Sequence, residues 1–424
     1  MSGVQGWQRT SIGQVATVDS GPAFQSKHFC GPGEGIPLLR GDNLEPGRLR
    51  WERTRTWPEA LLPGYEHLLV LPGDSILAMD RPIVSAGLKL AQVKMDDVPA
   101  LLVQRVARLR AQGVDPDFLH YLLQSPQFTD QLRVNFVGTQ IPHITLASIR
   151  DFQFSLPPME EQRRVVDILE DHLSRVDVAS MALHATHRHL VSLRRAAVAE
   201  ITRRHAEGSV SLRSLVERIE AGRSFGSASR PAQDHEWGIV KVSAMTWGEF
   251  RPHENKVVTD IARIDSRYEI HVGDILVSRA NTTAYVGAPV LVKETRARLL
   301  LSDKSLRLIP RAGVSSAYLN CVLSAPAARQ QMSARATGTK DSMRNISQTA
   351  LLAVEVPFAS PASQAAVVAE VTDLDSASAR LGDSLTHGHQ RALGLRRALL
   401  EAAFSGRLTA GDAVADHIEE LAGV

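Results

Sequence analysis

The sequence has 424 residues, a length that predicts two or three domains at about 100–200 residues each. Its composition is 44% hydrophobic and 22% charged, which is typical of folded globular proteins and excludes a disordered chain. The net charge is only +2, so binding to a polyanion would depend on local clusters of charge.

The cellular compartment of the protein can be predicted from three kinds of pattern: membrane-spanning runs, signal peptides and paired cysteines. It contains no apolar run long enough to span a bilayer, and Met1 to Arg9 has no signal-peptide pattern. Cys30 and Cys321 are too far apart for a C-x-x-C pair, so we expect free thiols in a reducing environment. Together these features predict a cytoplasmic protein.

The first part of the chain has the pattern of a mixed domain of strands and helices. Short apolar runs broken by Gly and Pro, such as Ile36-Pro37-Leu38-Leu39, predict short strands. A compact helix is predicted from Asp117 to about Leu132. A polar loop beginning at Gly138-Thr139-Gln140 follows, and the pair Pro157-Pro158 marks a boundary.

A long segment without Pro or Gly follows this boundary, from Met159 to about His205, and predicts one long helix. Its residues fit a heptad seam with d positions at Leu169, Val176, Leu183, Leu190 and Ala197 and a positions at Val166, Leu173, Ser180, His187, Arg194 and Ile201. Apolar d positions maintained over about five heptads predict a coiled coil.

The second half of the chain repeats the first at an offset of about 200 residues. The matched segments are Gly21-Pro22-Ala23-Phe24 with Gly222-Arg223-Ser224-Phe225, Gly73-Asp74 with Gly273-Asp274, Ser125-Pro126 with Ala325-Pro326, Gly138-Thr139 with Gly338-Thr339, and Leu193-Arg194-Arg195-Ala196 with Leu395-Arg396-Arg397-Ala398. Five matches in the same order indicate a tandem duplication. The repeat includes a strand-like run at Ala288–Val292 and a compact helix from Ser315 to about Met332.

The duplication also predicts a second long helix, from about Ser363 to Arg407. Its seam is looser, formed by Leu374, Leu381, Leu385, Ala392, Leu395 and Leu399 and interrupted by Gly382, Gly388 and Gly394. Each long helix follows its own globular domain, so the simplest arrangement pairs the two helices antiparallel, with the globular domains at opposite ends of a rod. The alternative is that each helix packs on its own domain or on a partner chain.

The predicted fold class is therefore mixed α/β (α+β), with two similar globular domains in tandem, each followed by a long helix. We predict a first domain at 1–158, a central helix at 159–207, a second domain at 208–360, a C-terminal helix at 361–408 and a tail at 409–424.

Catalytic and metal-binding signatures are missing from the sequence. It has no G-x-x-x-x-G-K-[ST] phosphate loop, no H-E-x-x-H helix and no G-x-S-x-G elbow. The Asn/Asp-Pro-Pro-aromatic motif of amino-methyltransferases is also absent, and Glu254-Asn255-Lys256 lacks a partner carboxylate expected of a nuclease. His187 and His389 occupy matching helix positions and are expected to pack between helices. We therefore expect no catalytic residue and no metal site in this chain.

Four segments resemble parts of the specificity subunits of Type I restriction–modification systems. Pro157-Pro158-Met159-Glu160-Glu161-Gln162-Arg163-Arg164 resembles the start of that family's conserved helix, and Leu395–Leu408 resembles its C-terminal helix end. Gly273-Asp274-Ile275-Leu276, with its first copy at Gly73-Asp74, and Gly138–Ile144 resemble parts of its target-recognition domains. In the second copy, Ser360-Pro361-Ala362-Ser363-Gln364 keeps only the Gln of the helix-start run. That departure leaves open whether both helix starts make the same contacts.

The resemblance implies a function for the whole chain. Each target-recognition domain would read one half of a split DNA sequence, and the helices would set the spacer. Two methyltransferase subunits would dock on the helices, and two motor–nuclease subunits would complete the complex. S-adenosylmethionine, ATP and Mg would be cofactors of those partners and not of this chain.

Candidate DNA contacts follow from the residue types at matched loops, because Arg suits guanine and phosphate and Asn suits adenine. In the first domain they are Arg40, Arg48, Arg50, Arg53 and Arg55 beside Trp51 and Trp57, then Arg81 in the pair Asp80-Arg81, and Gln140 and His143. In the second domain they are Lys241, Trp247, Arg251, Arg279, Asn281, Thr282, Lys340, Arg344 and Asn345.

Other interpretations of these residues and of the chain stay open. The first arginine cluster could be a solvated face paired with Asp42, Glu45 and Glu52, and the loops after each compact helix could hold ordinary turn residues. The chain could be the specificity module of a methylation-only or phage-exclusion complex. It could also be a coiled-coil adaptor without a DNA role, although an adaptor does not need two similar domains.

Overall fold

The computed structural model describes residues 6–31, 33–52, 54–85, 87–134, 143–246, 248–338, 341 and 343–409. These residues form two compact units. Unit 1 takes its described residues from Met1–Leu183 and His387–Val424, and unit 2 from His184–Thr386. Each long helix therefore contributes one half to each unit.

Unit 1 is built around a four-stranded antiparallel sheet in the order β10-β7-β12-β2, beside a three-stranded sheet in the order β11-β3-β6. Its strands are β1 (Gln8–Ser11), β2 (Ala16–Ser20), β3 (Ile36–Leu39), β4 (Leu44–Glu45), β5 (Arg48–Leu49), β6 (Thr56–Trp57), β7 (Ser75–Ala78), β8 (Ile83–Val84), β9 (Gly87–Leu88), β10 (Leu90–Gln92), β11 (Leu101–Leu102), β12 (Val106–Ala111) and β13 (Gln153–Leu156). The predicted strand at Ile36–Leu39 is confirmed.

Unit 2 has the same plan, with a four-stranded antiparallel sheet in the order β15-β23-β19-β21 and a second sheet in the order β16-β18-β17-β22. Its strands are β14 (Gly208–Ser211), β15 (Val216–Ala221), β16 (Ser227–Ala228), β17 (Gly238–Val240), β18 (Asn255–Val258), β19 (Ile275–Ser278), β20 (Ala280–Asn281), β21 (Pro289–Leu291), β22 (Leu299–Leu300), β23 (Ser305–Pro310), β24 (Arg344–Asn345) and β25 (Glu355–Phe358). In both units the central strand, β7 or β19, is buried along its whole length.

The helices follow the same duplication. They are α1 (Ile12–Val15), α2 (Pro116–Gln124), α3 (Pro126–Val134), α4 (Leu146–Arg150), α5 (Met159–Arg204), α6 (Ser316–Ser324), α7 (Pro326–Arg335), α8 (Gln348–Leu352) and α9 (Pro361–Phe404). Short 3₁₀ turns occur at Ser26–His28, Glu59–Leu61, Glu66–Leu68, Met95–Asp97, Leu212–Ser214, Val242–Met245, Ile261–Arg263 and Ser266–Tyr268.

Each compact helix that we predicted as continuous is two helices. The breaks fall at Ser125-Pro126 and Ala325-Pro326, where the residue before proline has an extended ψ of 149° or 143°. Proline disfavours the helical conformation of the preceding residue and lacks the backbone N–H needed to continue the helix. The prediction of one helix was wrong at both places, and the repeated dipeptide is the cause.

The long helices α5 and α9 run antiparallel within each unit, which confirms the predicted pairing. In unit 1, Asp177 pairs with Arg396 at 2.8 Å, and Ser180 lies 3.2 Å from His389. In unit 2, Arg194 pairs with Asp375 at 2.7 Å, and further along α5 His205 lies 2.7 Å from Glu370. As residue numbers rise along α5 they fall along α9, which is the mark of antiparallel helices.

The seam is most buried where the helices also pack on a domain core. Leu169, Leu173 and Val176 of α5 are buried in the core of unit 1, so the alternative in which a helix packs on its own domain is also realised in part. Leu399 of α9 is buried in the same core. The remaining seam residues Leu183, Leu190, Leu374, Leu385 and Leu395 are half-buried.

Leu381 does not occupy the predicted buried seam position, because it is 47% exposed. The half-buried positions next to it are Ser378 and Gly382. Leu374 and Leu385 are eleven residues apart, about 3.67 residues per turn over three turns, which is the spacing of a nearly straight helix. The prediction that Leu381 lies in the seam was therefore wrong, because it assumed a strict heptad of 3.5 residues per turn.

Both long helices begin with the same buried glutamine, so the two helix starts make the same contacts. Gln162 accepts a hydrogen bond from the Asp115 backbone N–H at 2.8 Å and donates to the Pro157 carbonyl at 2.9 Å. Gln364 accepts from the Ser315 N–H at 2.9 Å and donates to the Ala359 carbonyl at 2.9 Å. The amide ties the helix start to the loop before the compact helices, and this explains why the Gln is retained in both copies.

Repeated glycines mark close backbone contacts in the two units. A Cβ atom on Gly21 would lie 2.0 Å from the Leu102 carbonyl oxygen, and one on Gly222 would lie 2.2 Å from the Ser302 carbonyl oxygen. Gly73 and Gly273 have φ values of +90° and +92°, a conformation that favours glycine. These glycines therefore maintain the fold, and the matches between the halves reflect a shared backbone.

Candidate nucleic-acid interface

Unit 2 contains a polar groove where four separate segments meet, and three of the predicted residues line it. The cavity measures about 430 Å³. We call it the unit 2 groove and define it by Val242, Arg279, Ala280, Asn281, Asp303, Lys304, Met343 and Asn345. Two cations, two amides and one carboxylate offer donors and acceptors in one depression.

A small strand pair holds two of these segments together. In β20 and β24, Ala280 pairs with Asn345, and Asn281 pairs with Arg344. Arg344 turns back to donate to the carbonyls of Gly338, at 3.2 Å, and Ala336, so its side chain braces the loop. Its Nε is buried without a hydrogen-bond partner among the described residues.

The loop after β19 is shaped by its own polar side chains. The Asn281 Oδ1 accepts from the Thr282 N–H at 2.8 Å, and its Nδ2 lies 3.3 Å from the Ser278 Oγ. The Thr282 carbonyl accepts from the N–H groups of Tyr285 and Val286. Thr282 is thus a turn residue next to the groove, whereas the Arg279 side chain is exposed.

Lys241 and Arg251, the remaining predicted cations of unit 2, pair with acids. Lys241 lies 3.6 Å from Glu254, and Arg251 donates to Glu249 at 2.9 Å. A hydrogen bond from Ser243, helped by the charge of Lys241, lowers the pKa of Glu254 and keeps it ionised. Lys241 immediately precedes Val242 in the chain, so it lies at the rim of the unit 2 groove.

Unit 1 builds the same framework with different side chains. The Met79 N–H donates to the Arg105 carbonyl at 3.0 Å, as the Arg279 N–H does to the Lys304 carbonyl at 2.8 Å. The Ile144 N–H donates to the Met79 carbonyl, as the Ile346 N–H does to the Arg279 carbonyl. The matched loops therefore meet in both units.

In unit 1 a carboxylate lies at the centre of these loops. Asp80 contacts His143 at 2.5 Å and Arg105 at 3.1 Å. Arg81, next to it, is exposed with a φ of +46°, and Arg105 has a φ of +65°. A positive φ at a non-glycine residue is strained and is concentrated at functional positions. We call Asp80, Arg81, Arg105 and His143 the unit 1 cluster.

The first arginine cluster is largely a solvated, ion-paired face, which was the alternative interpretation. Arg48 bonds Glu45 at 2.7 Å, Arg50 bridges Glu45 at 2.6 Å and Glu52 at 2.9 Å, and Arg40 lies 3.6 Å from Asp42. Hydrogen bonds from Arg50 and Arg48 lower the pKa of Glu45. Arg55 is exposed, and no ion pair of it is found in the described part of the chain.

The two tryptophans of this cluster are bonded to other parts of the same domain. Trp57 is 4% exposed, donates to the Leu61 carbonyl at 3.0 Å and packs against Phe24 with ring centroids 4.6 Å apart. Trp51 donates to Asp97 at 2.7 Å. Both tryptophans therefore have internal partners.

Arg53, Gln140, Trp247 and Lys340 lie outside the described residues. Sequence reasoning missed Arg105 and Lys304. Their positions in the repeat could have indicated them. Arg105 lies directly before strand β12, and Lys304 lies directly before the matched strand β23, 199 residues later. A single basic residue in a turn carries no motif, so only the duplication could have singled it out.

Two features are absent from the residues that the structure describes. No group of three or more His, Cys, Asp or Glu side chains is placed to hold a metal ion there. No helix in the same residues is both long and apolar enough to cross a membrane.

Comparisons with known proteins agree with this architecture. A family model described as the Type I restriction modification DNA specificity domain matches residues 5–181. The MjaVIII specificity subunit of Methanocaldococcus jannaschii is 33% identical over 166 residues, which are 39% of this chain and 39% of that protein. The EcoAI specificity subunit of Escherichia coli is 30% identical over 39% of this chain, so these alignments span only 39% and 28% of the two relatives.

Longer alignments extend the similarity through both halves. The EcoBI specificity subunit of Escherichia coli is 23% identical over 95% of this chain and 86% of its own length. A solved structure from work on assembly and conformational transition of the type I R-M system covers 96% of this chain and 100% of its own, with a TM-score of 0.69 and 19% identity, which shows the same fold. Residues 5–181 therefore match the DNA specificity domain of Type I restriction–modification systems, and the whole chain is similar to specificity subunits of those systems.

Proposed function

We propose that this chain is the non-catalytic DNA-reading subunit of a Type I restriction–modification complex, in which each unit reads one half of a bipartite target. The observation that carries the proposal is the repeated meeting of three matched loops, at the groove of unit 2 and at the cluster of unit 1. Two similar frameworks with different side chains suit the reading of two different half-sites on one duplex.

The side chains of unit 2 favour purine recognition. Arg279 can donate two hydrogen bonds to the O6 and N7 of guanine, and Asn281 or Asn345 can pair with the N6 and N7 of adenine. Lys304 adds a further donor for guanine or for a phosphate. Backbone contacts position a protein on DNA, while base-edge contacts of this kind specify the sequence.

Unit 1 offers an acceptor where unit 2 offers donors. The Asp80 carboxylate suits the exposed amino group of cytosine, and Arg81, Arg105 and His143 surround it with donors. Ala280 and Asn345 stand at the positions of Asp80 and His143 in unit 2. The two half-sites are therefore expected to differ in sequence.

The long helices are proposed to set the spacer and to dock two methyltransferase subunits, joined by two motor–nuclease subunits. Large apolar side chains exposed on the helices support a partner-covered surface: Val178 at 62%, Met181 at 64%, Leu193 at 59% and Leu393 at 47%. S-adenosylmethionine, ATP and Mg would be held by those partners. A methylation-only or phage-exclusion complex would use the same DNA reading with different partners, and the neighbouring genes distinguish them.

The test is genome-wide mapping of methylated adenines in a host that expresses the methyltransferase partner. Deleting the gene should remove one split motif, and complementation with the wild-type chain should restore it. Arg279→Ala and Asn281→Ala should relax one position each, at about 1–3 kcal/mol of lost discrimination, and only in one half of the motif.

A matched control is Arg263→Ala, an arginine of unit 2 that is 72% exposed and outside the unit 2 groove. It should leave the motif unchanged. An unchanged methylation pattern on deletion of the gene would contradict DNA reading. Relaxation in both halves by one variant would contradict the assignment of one unit to each half-site.

A further inference from the structure

We propose that Arg195 and Arg329 of unit 2 form a binding site for a backbone phosphate of duplex DNA, next to the unit 2 groove. The inference rests on the proposed function and deepens it, because it adds a sequence-independent contact at one end of the same duplex. In unit 1 the matched arginine, Arg397, is instead neutralised internally by Asp130.

Arg329 lies on α7 and is partly buried, with no ion-pair partner among the described residues. Its Nη2 donates to the Ala284 carbonyl at 3.1 Å, while its Nη1 is buried with no hydrogen-bond partner among the described residues. Burial, together with the positive charge of Arg195, lowers the pKa of Arg329 to about 10. The guanidinium remains charged at neutral pH, so the local field is positive.

Arg195 lies on α5 and is exposed. Neither Arg195 nor Arg329 forms an ion pair in the part of the chain that the structure describes. Two neighbouring cations without a carboxylate repel each other, and an external anion would relieve the repulsion. The planar fork of arginine matches the oxygens of phosphate and makes charge-assisted hydrogen bonds with them.

The duplication supplies an internal comparison. In unit 1, Arg397 matches Arg195 at an offset of 202, and it pairs with Asp130 at 2.9 Å. In unit 2 the residue matching Asp130 is Gln330, and the residue matching Thr129 is Arg329. These replacements change the local charge of three matched positions from zero to +2. Unit 2 has therefore lost the internal acid and gained a cation.

DNA is favoured as the source of the anion because of where Arg329 is fixed. Its bond to Ala284 holds the loop that begins with Arg279 and Asn281 of the unit 2 groove, and Ser333 lies 3.5 Å from the Thr283 carbonyl of that loop. A duplex seated in the groove would bring its phosphates to the same loop. The acidic surface of a docking protein is the competing occupant.

The experiment measures binding of the full-length chain to a fluorescent duplex of random sequence, from about 50 to 200 mM salt. Each phosphate contact contributes about 0.9 to the slope of log K against log salt. Arg195→Ala should reduce the slope by about that amount. Arg397→Ala, the matched control in unit 1, should leave it unchanged, because that arginine is already neutralised by Asp130.

The second variant tests the site by adding a negative charge beside the two arginines. Gln330→Asp should give unit 2 the acid that unit 1 has, and should reduce the slope as Arg195→Ala does. Equal slopes for wild type, Arg195→Ala and Gln330→Asp would overturn the phosphate site. Loss of methyltransferase binding with an unchanged slope would also overturn it and identify an acidic protein surface instead. Failure of the wild-type chain to bind any duplex would overturn the proposed function itself.

Discussion

The two units stabilise the same buried acidic turn with different arrangements of arginines. In unit 1, Arg108 binds Asp19 through two bonds of 3.0 and 2.6 Å, and Arg110 separately binds Asp74 through two bonds of 2.8 and 2.7 Å. In unit 2, Arg307 binds both Glu220, at 2.9 and 2.7 Å, and Asp274, at 2.9 Å, and Arg218 also donates to Glu220 at 3.0 Å.

The difference arises at one strand position, because Ile309 stands in unit 2 where unit 1 has Arg110. Burial alone would lower the pKa of Arg307, but its bonds to Asp274 and Glu220 raise it. The duplicated fold therefore preserves the two acidic positions and not the arrangement of the arginines that bind them. In unit 2 one side chain, Arg307, bridges both carboxylates.

The largest expected effect comes from removing that side chain. Arg307→Ala leaves two carboxylates without their main partner, one of them on the largely buried Asp274, so it should lower the free energy of unfolding by about 3–5 kcal/mol. Arg108→Ala strands only Asp19, which is 34% exposed, and should lower it by about 1–3 kcal/mol. Denaturation followed by hydrogen exchange of each unit measures both, and equal losses would contradict the comparison.

A second difference concerns pH. Burial, with a smaller contribution from the charge of Arg396, lowers the pKa of His120 from 6.5 to about 4, whereas unit 2 has Asn320 at the matched position. The unfolded chain therefore takes up a proton at higher pH than the folded one. Unit 1 should be fully stable above pH 6.5 and lose roughly 3 kcal/mol as the pH falls to 4.

This pH effect should be confined to unit 1. Unfolding curves of the wild type and of His120→Asn between pH 7 and pH 4 are the measurement, with hydrogen exchange to separate the units. The variant should show a shallower pH dependence, because its side chain does not titrate in this range. A wild-type curve that matches the variant at all pH values would show that His120 is not the titrating group.

The smallest expected effect compares the two long helices. Helix α5 has no glycine, whereas α9 has three. A Cβ at Gly382 or Gly394 would meet nothing within 4 Å, so Gly382→Ala and Gly394→Ala should each stabilise by about 0.5–1 kcal/mol. Gly388→Ala should gain less, because its Cβ would lie 3.3 Å from a Leu183 methyl group. Thermal unfolding of the three variants tests this order.

The sequence predicted those parts of the fold that depend on periodicity. The helix from Met159, the strand at Ile36–Leu39 and the duplication all follow from spacing along the chain, and the structure confirms them. Periodicity could not locate the helix break at Pro126, because the apolar pattern continues across it. The match of Ser125-Pro126 with Ala325-Pro326, which indicated the duplication, also marks the helix break in each copy.

The site was harder to predict, because its composition depends on contacts across the fold. Arg48 and Arg50 resembled an anion-binding cluster until the structure placed Glu45 between them. Lys304 had no signal of its own until the fold brought it beside Arg279. Residue type and local spacing identify candidates, but charge compensation and convergence are properties of the folded chain.

The glutamine at each helix start has a consequence for how such chains diversify. Gln162 and Gln364 bond through their amides to main-chain atoms, so the joint makes no demand on neighbouring side-chain chemistry. The loops that meet a ligand can then change every side chain without loosening the helix. The same joint would accept a foreign domain in place of the native one, provided that its backbone presents the same N–H and carbonyl groups.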